Sequence, residues 1–585
     1  MKPAPMPGGL APEDVSVWQR IRRYAVPRWM IEQATAHRLA GDWRAACAAA
    51  AVDPVFDLDG LAARFGEAAA AAVTEDLRHL APDLMRWHLP RLLGGRTTLD
   101  TDCSVLLACY GPEAGSPELL GLYVTTTPMM EGPQRLRLVC APIGTRFSGS
   151  GTDWTRARHL WDARHAAELR ARFAGGADRL PFFRADGTPL TEEELPAEDP
   201  GTADPAARAE WAAVLLSRGE SVEACAVAGM ELDPAEAGNT PRYYRDPAGM
   251  LTTAAPDLLR IADGFRRLVA AGAGDRFRVP VHWRWHFLLM ADGQDASAPV
   301  RVGFVDRDTV KDVPCLPGYA WHPDPDLHLV RAGRIAPDEL HPLVAAALFP
   351  EAGPADGPPL PAAPAPVRVR CRGEWHEVRF RDGELDMPHT PQEQQREQAL
   401  RAFGGAVAGC FAVRQTVATG NGRLPRALRE QRRELMLRAQ HGDTPGVLAL
   451  LDAGFDPRMK LPNDRSLLHL LHLLDHEELL PRLLAAGLDL EAKDKTDRTP
   501  LMMAVTYGGS VSLVRALLEA GSRIDIVDNM DMSLAQIIRR YHRTDLGFLS
   551  DRVKEEFPDI GNDWWDDWMD DQSEYYDEEE EEDDE

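Results

Sequence analysis

No run in this 585-residue chain approaches the ~18 consecutive apolar residues that a membrane-crossing helix needs, so no spanning segment is expected. No C-x-x-C pair occurs among the eight cysteines (Cys47, Cys103, Cys109, Cys140, Cys225, Cys315, Cys371, Cys410). That scatter argues for free thiols in a reducing compartment and against a disulfide framework or a zinc ribbon. The opening MKPAPMPGGLAPED has one lysine and no apolar segment, so no signal peptide is expected and the cytoplasm is the expected location. G-x-S-x-G and H-E-x-x-H are also absent. An excess of basic charge is missing too. The formal net charge is −27, but Asn562 to Glu585 hold 15 acidic and no basic side chains, leaving −12 on the preceding 561 residues. A mildly acidic body of that kind is not expected to bind nucleic acid.

Seen in order, the chain predicts an α+β multi-domain protein. A leader, 1–13, is Pro/Gly-rich and expected to be disordered. An α+β domain covers 14–186, with helices to about residue 93, three extended runs at 104–110, 119–127 and 135–143, and a helix over about 153–173. An acidic, Pro-containing linker spans 187–205, and a second α+β domain spans 206–352. The second block loosely repeats the first. APDLMR (81–86) has a counterpart in APDLLR (255–260), and the strand–turn–strand at 106–124 has one at 288–305. A third helix start, 336–341, precedes a further hairpin at 367–385, which makes a repeated helix-plus-hairpin unit a working expectation. A Pro-rich linker (353–366) leads to a small α/β element and an Arg-rich helix (367–430).

Near the C-terminus two copies of one pattern follow each other at an offset of 33 to 34 residues. Ser466 recurs as Thr499, Leu468 as Leu501, Leu483–Leu484 as Leu517–Leu518, and Gly487 as Gly521. Thr499 suits a helix cap, Pro500 a first helical position, and Gly521 a left-handed stop. These residues, with AAGLDLEAKD and EAGSRIDIVD between helices, resemble the ankyrin repeat. Degenerate flanking units at Arg433–Pro457 and from Asn529 extend the resemblance over 431–550. Leu467 stands where the family has proline, Asp464 and Asp497 where it has a turn glycine, and Pro481 lies within a second helix. The resemblance implies a short all-α solenoid that grips another protein, acting as a non-catalytic adaptor or regulator. By the resemblance, its contact residues are Arg465, Leu473, Leu474, Lys495, Arg498, Thr506 and Tyr507, with Leu473 and Leu474 as exposed anchors. An enzyme hidden in the N-terminal region, with the repeats recruiting substrate, is the competing class.

Residues 551–585 form an acidic tail, expected to be disordered, with Trp564, Trp565, Trp568, Tyr575 and Tyr576 set among acids. The interleaving points to contact with a basic groove on a partner, or with the chain's own Arg423–Arg438 region, or to polyanion mimicry and inhibition. Metal ligation is set aside. His282 and His286 lie ~13 Å apart if the run 281–290 is a strand. The cluster His322, Asp324, Asp326, His328 is taken for a polar loop; His469, His472 and His476 lie on or just beyond one helix, and the resemblance implies structural histidines at His469 and His476. Gly-rich 144–154 lacks the Lys-Ser/Thr ending of a phosphate loop and is taken for a solvent loop. No cofactor is expected.

Overall fold

Aspartates just ahead of short apolar segments start many of the helices. Asp42, Asp57, Asp204, Asp257 and Asp324 each accept a backbone N–H from the first turn of the helix that follows. A computed structural model of the chain describes residues 10–569 except 95–96, 112–118, 174–178, 233–250, 252–255, 282–283, 292–297, 404–406 and 567. Most of the expected leader, the acidic run with Tyr575 and Tyr576, and His282 with Trp283 therefore lie outside the described residues. The chain divides into two units, Met1–Thr126 with Leu136–Pro359 and Thr127–Arg135 with Leu360–Glu585.

In the first unit, strands β1 (Val52–Pro54), β2 (Cys103–Tyr110), β3 (Leu120–Thr125), β4 (Leu136–Pro142) and β5 (Ser150–Asp153) form a sheet in the order β1-β4-β3-β2-β5. A second sheet has β6 (Met230–Leu232), β7 (Arg276–Pro280), β8 (Trp285–Met290) and β9 (Val300–Asp306) in the order β6-β9-β8-β7. The two follow one plan. Each has a three-strand antiparallel meander whose last strand also takes a short edge strand in parallel, β1 on β4 and β6 on β9. Each edge strand follows a left-handed residue, Ala51 (φ 53°) or Gly229 (φ 68°), whose carbonyl accepts from the first residue of the meander's last strand. Beyond the meander, β5 pairs in parallel with β2, while Cys315 makes a parallel bridge to Arg278 of β7. A 3₁₀ turn ending at Trp161 or Trp321 then follows, with almost equal backbone angles (φ −147° and −143°). The two halves build separate apolar cores.

The doubled plan read from sequence is present, but its strand pairing is one place out. By sheet position, 106–124 (β2–β3) corresponds to β7–β8 and not to 288–305. The third hairpin does not join it. Strands β10 (Val367–Cys371), β11 (Glu374–Arg381) and β12 (Glu384–Asp386) form an all-antiparallel sheet in the second unit. Two local expectations also change. Residues 153–173 hold the end of β5 and two 3₁₀ segments instead of one α-helix. The supposed loop 322–328 runs into the helix Pro325–Arg331, because Asp324 caps it and Pro325 fits its first turn. Asp326 is buried there against Arg22 and Trp87. The segment 144–154 ends in β5, paired with β2.

In the second unit the β10–β12 sheet shares one apolar core with the helices that follow, through pairs such as Phe380 on Phe455 (ring centroids 4.4 Å). Helix pairs succeed one another: Arg426–Gln440 with Thr444–Asp452, Leu467–Leu473 with His476–Ala485, Pro500–Thr506 with Val511–Glu519, and Leu534–Arg540 with Gly547–Glu556. Asp464, Asp497 and Asp531 all take left-handed backbone (φ 57° to 59°), so aspartate serves at the turn. The Asp494 and Asp528 carboxylates brace the turns that contain Asp497 and Asp531 by accepting backbone N–H groups.

Pro481 is the sixth residue of its helix, well beyond the first turn. It removes the N–H that Glu477 C=O would accept, and both residues are exposed, so water can serve that carbonyl. Pro481→Ala is expected to stabilise the unit by about 2 kcal/mol, the ~3 kcal/mol helix penalty less ~1 kcal/mol from a looser unfolded chain. A urea midpoint unchanged or lowered by the substitution would contradict this.

Candidate functional site

The side of the repeat region expected to meet a partner is built on helix starts and turns. Leu467–Leu473 is a 3₁₀ helix, and at three residues per turn Leu468, Leu471 and Leu474 fall on one ridge. All three are buried. Leu474 is therefore not the exposed anchor expected, and Leu473 is half-buried and packed on the core. Thr506 is also buried. Lys495 is exposed, while Arg465, Arg498 and Tyr507 are half-buried.

Arg465, His472, Arg498 and Tyr507 form a connected group. Arg498 Nη1 donates to Tyr507 Oη (3.1 Å), and Tyr507 stacks on His472 (centroids 5.7 Å). Arg498 also pairs with the buried Asp528 (3.5 Å).

This group already has an occupant. Residues 127–135, which follow β3 and precede β4 in the chain, belong to the second unit and lie against it. Arg465 Nη1 donates to Glu131 Oε2 (2.9 Å), and His472 Nε2 bonds to Glu131 C=O (2.9 Å). Gly132 N donates to Met129 C=O, closing a turn that presents Glu131. At Gly508 a Cβ would stand only 3.6 to 3.7 Å from Pro133 and Met129, so the turn lies close over the third repeat's helix end. Sequence reasoning leaves an open face and one packed on the chain's own N-terminal part or tail as alternatives, and the structure covers its Arg465–His472 part with the chain's own residues. Burial holds the His469 and His472 rings at about 4, well below the ordinary imidazole value. His469 bonds to Ser466 through Nδ1 and to Arg498 C=O through Nε2, a bracing role.

The head of the tail is also engaged. Trp565 is buried, and its indole N–H donates to Met530 C=O (2.9 Å). Arg540 lies over Trp565 and Trp568 (4.9 and 5.7 Å to the ring centroids), and Asp566 accepts from Gln536 (2.8 Å). This head of the tail docks on the helix Leu534–Arg540. Trp564 and Trp568 stay exposed and stack on each other (6.4 Å).

A second constellation escaped the sequence reading. Cys371 ends β10, His376 lies on β11, His389 precedes the helix Pro391–Ala402, and Cys410 opens the helix Gly409–Thr419. One ligand atom from each lies within 4.8 Å of the other three. Burial first, and the neighbouring Cys371 thiol second, push the Cys410 thiol up to about 12. Elsewhere, His286 lies buried on β8 beside Arg278, and the His322–His328 segment starts a helix.

Helix pairs in series, with polar turns and a gripped peptide segment, define a repeat-type polypeptide-binding module. Residues 435–528 match the family model of ankyrin repeats (three copies), and this segment is an ankyrin repeat array. No family model matches the rest of the chain. A 64-residue stretch is 39% identical to the human transient receptor potential cation channel subfamily A member 1. That likeness covers 11% of this chain and only 6% of the channel's length. Ankyrin repeats imply protein–protein interaction. No helix among the described residues is long and apolar enough to cross a membrane.

Proposed function

We propose that this protein is a non-catalytic cytoplasmic adaptor or regulator whose repeat face recognises another polypeptide. Residues 127–135 act as the built-in occupant that a partner displaces. The observation that carries this reading is the Glu131 turn held by Arg465 and His472. A face that already binds one acidic turn through an arginine and a histidine is suited to a second, competing acidic turn. Arg498, joined to this group through Tyr507 and paired with Asp528, and the exposed Lys495 are the further cations offered to that partner, and the exposed Trp564–Trp568 pair, set among acids, would meet a basic groove on it.

The test uses the full-length chain and a labelled peptide of residues 127–135. Wild type should bind the peptide weakly, because its own segment competes. Glu131→Arg should free the face and tighten peptide binding at least about tenfold, a shift of ~1.4 kcal/mol. Adding Arg465→Glu to that variant should abolish the gain. Equal peptide binding by wild type and Glu131→Arg would remove the displaceable-occupant reading.

A further inference from the structure

We propose that Cys371, His376, His389 and Cys410 form a tetrahedral site for a structural zinc ion. Three distances give the geometry. Cys371 Sγ is 3.6 Å from His389 Nε2, Cys410 Sγ is 3.6 Å from His376 Nδ1, and the two ring nitrogens are 3.2 Å apart. In a tetrahedron with metal–sulfur bonds of ~2.3 Å and metal–nitrogen bonds of ~2.0–2.1 Å, sulfur and nitrogen stand about 3.6 Å apart and two nitrogens about 3.3 Å. The observed spacings therefore fit an ion at the centre of the four atoms. An N···N or S···N hydrogen bond would account for each pair by itself. It would not account for four atoms of the two side-chain types that structural zinc sites use converging on one point.

The fold is shaped to bring them there. Arg372 (φ 52°) and Gly373 (φ 92°) make the two-residue turn between β10 and β11, so Cys371 stands at the hairpin tip. On β11 the alternation leaves Val378 and Phe380 buried, and His376, half-buried, stands in line with them on the same face. Gly409 has φ 60°, and a Cβ there would come within 2.5 Å of Cys371 Sγ. Only glycine lets the start of that helix approach closely enough for Cys410 to meet Cys371. The rings' other nitrogens each lie near a carboxylate, His376 Nε2 at 3.9 Å from Glu374 and His389 Nδ1 at 3.7 Å from Glu393. Both distances exceed hydrogen-bond length, so these carboxylates place negative charge beside the rings without fixing them.

Two thiolates and two neutral imidazoles around a divalent ion give a neutral, closed site with no open position. That arrangement is structural, not catalytic. Binding releases the two thiol protons to solvent. The ion would tie the hairpin to two later segments of the sheet-and-helix element that adjoins the first ankyrin helices.

The test is metal analysis of untagged, full-length protein purified under reducing conditions. One zinc per chain should survive gel filtration. After chelation, cobalt(II) should restore the visible absorption of a tetrahedral thiolate site, and zinc should bleach it. Cys410→Ser and His389→Gln should each weaken zinc binding at least tenfold, while Cys225→Ser, a buried thiol elsewhere, should leave it unchanged. Because the ligand variants could misfold, the cobalt titration of wild type decides independently. Metal-free wild type with no cobalt spectrum overturns the proposal, as does zinc retained equally by Cys410→Ser, or a Cys371–Cys410 disulfide found by mass under non-reducing conditions.

Discussion

Asp326→Ala should lower the stability of the first unit by about 3–5 kcal/mol, the usual cost of stranding a buried charge by removing its partner. Asp326 is fully buried and pairs with the equally buried Arg22, and its other oxygen accepts from the Trp87 indole (2.9 Å). Arg22 also donates to Trp87 C=O (2.7 Å) and lies over the Trp87 ring (4.5 Å). One carboxylate thus ties the helices Pro12–Tyr24, Pro82–His88 and Pro325–Arg331. Asp326→Asn should cost less, since it keeps an acceptor for the indole. The double change Arg22→Met with Asp326→Leu should recover much of the loss, because it removes both charges together. Urea unfolding followed by tryptophan fluorescence measures all three. A cost under ~1 kcal/mol for Asp326→Ala would show that the pair is not a principal tie.

The second unit should lose stability steeply as pH falls from about 6.5 to about 4. Burial keeps the His469 and His472 rings neutral until about 4 in the folded chain, whereas unfolded histidine takes its proton near ~6.5. Between those values the unfolded chain binds protons that the folded chain refuses, so this contribution is complete above ~7 and shrinks on acidification. Each ring accounts for about 3 kcal/mol across the window. His472→Gln keeps a donor for Glu131 C=O and should remove one ring's share of the slope. Urea midpoints between pH 7.5 and 4.5 give the reading. Parallel pH profiles for wild type and His472→Gln would refute the assignment.

What was legible in the sequence followed from range. Thr499, Pro500 and Gly521 act on their own helices within a few residues, so the ankyrin register could be read directly, including Asp464 and Asp497 at left-handed turns. The burial of Leu474 could not, because it depends on Leu467–Leu473 winding as 3₁₀. Local pattern also announced the doubled plan of the first unit. Which strand matched which depended on the parallel edge strands β1 and β6, three residues each and without a recognisable alternation. The Cys/His constellation was hidden for another reason. Its members are 5, 13 and 21 residues apart in succession, supplied by a hairpin tip, a strand, a loop and a helix start. A usable clue was present: a cysteine before an Arg-Gly turn, with a histidine at an inward strand position just after it. The Glu131 turn gave no clue, since its partner Arg465 lies 334 residues away.

That separation bears on how the molecule is made. At about 5–20 residues per second of synthesis, the Glu131 turn leaves the ribosome roughly 20–70 s before Arg465 exists to receive it. The repeat array is thus born with its groove empty and is closed by a piece of chain waiting upstream. A fragment starting at residue 360 would never acquire that piece, and its behaviour would be that of the opened form.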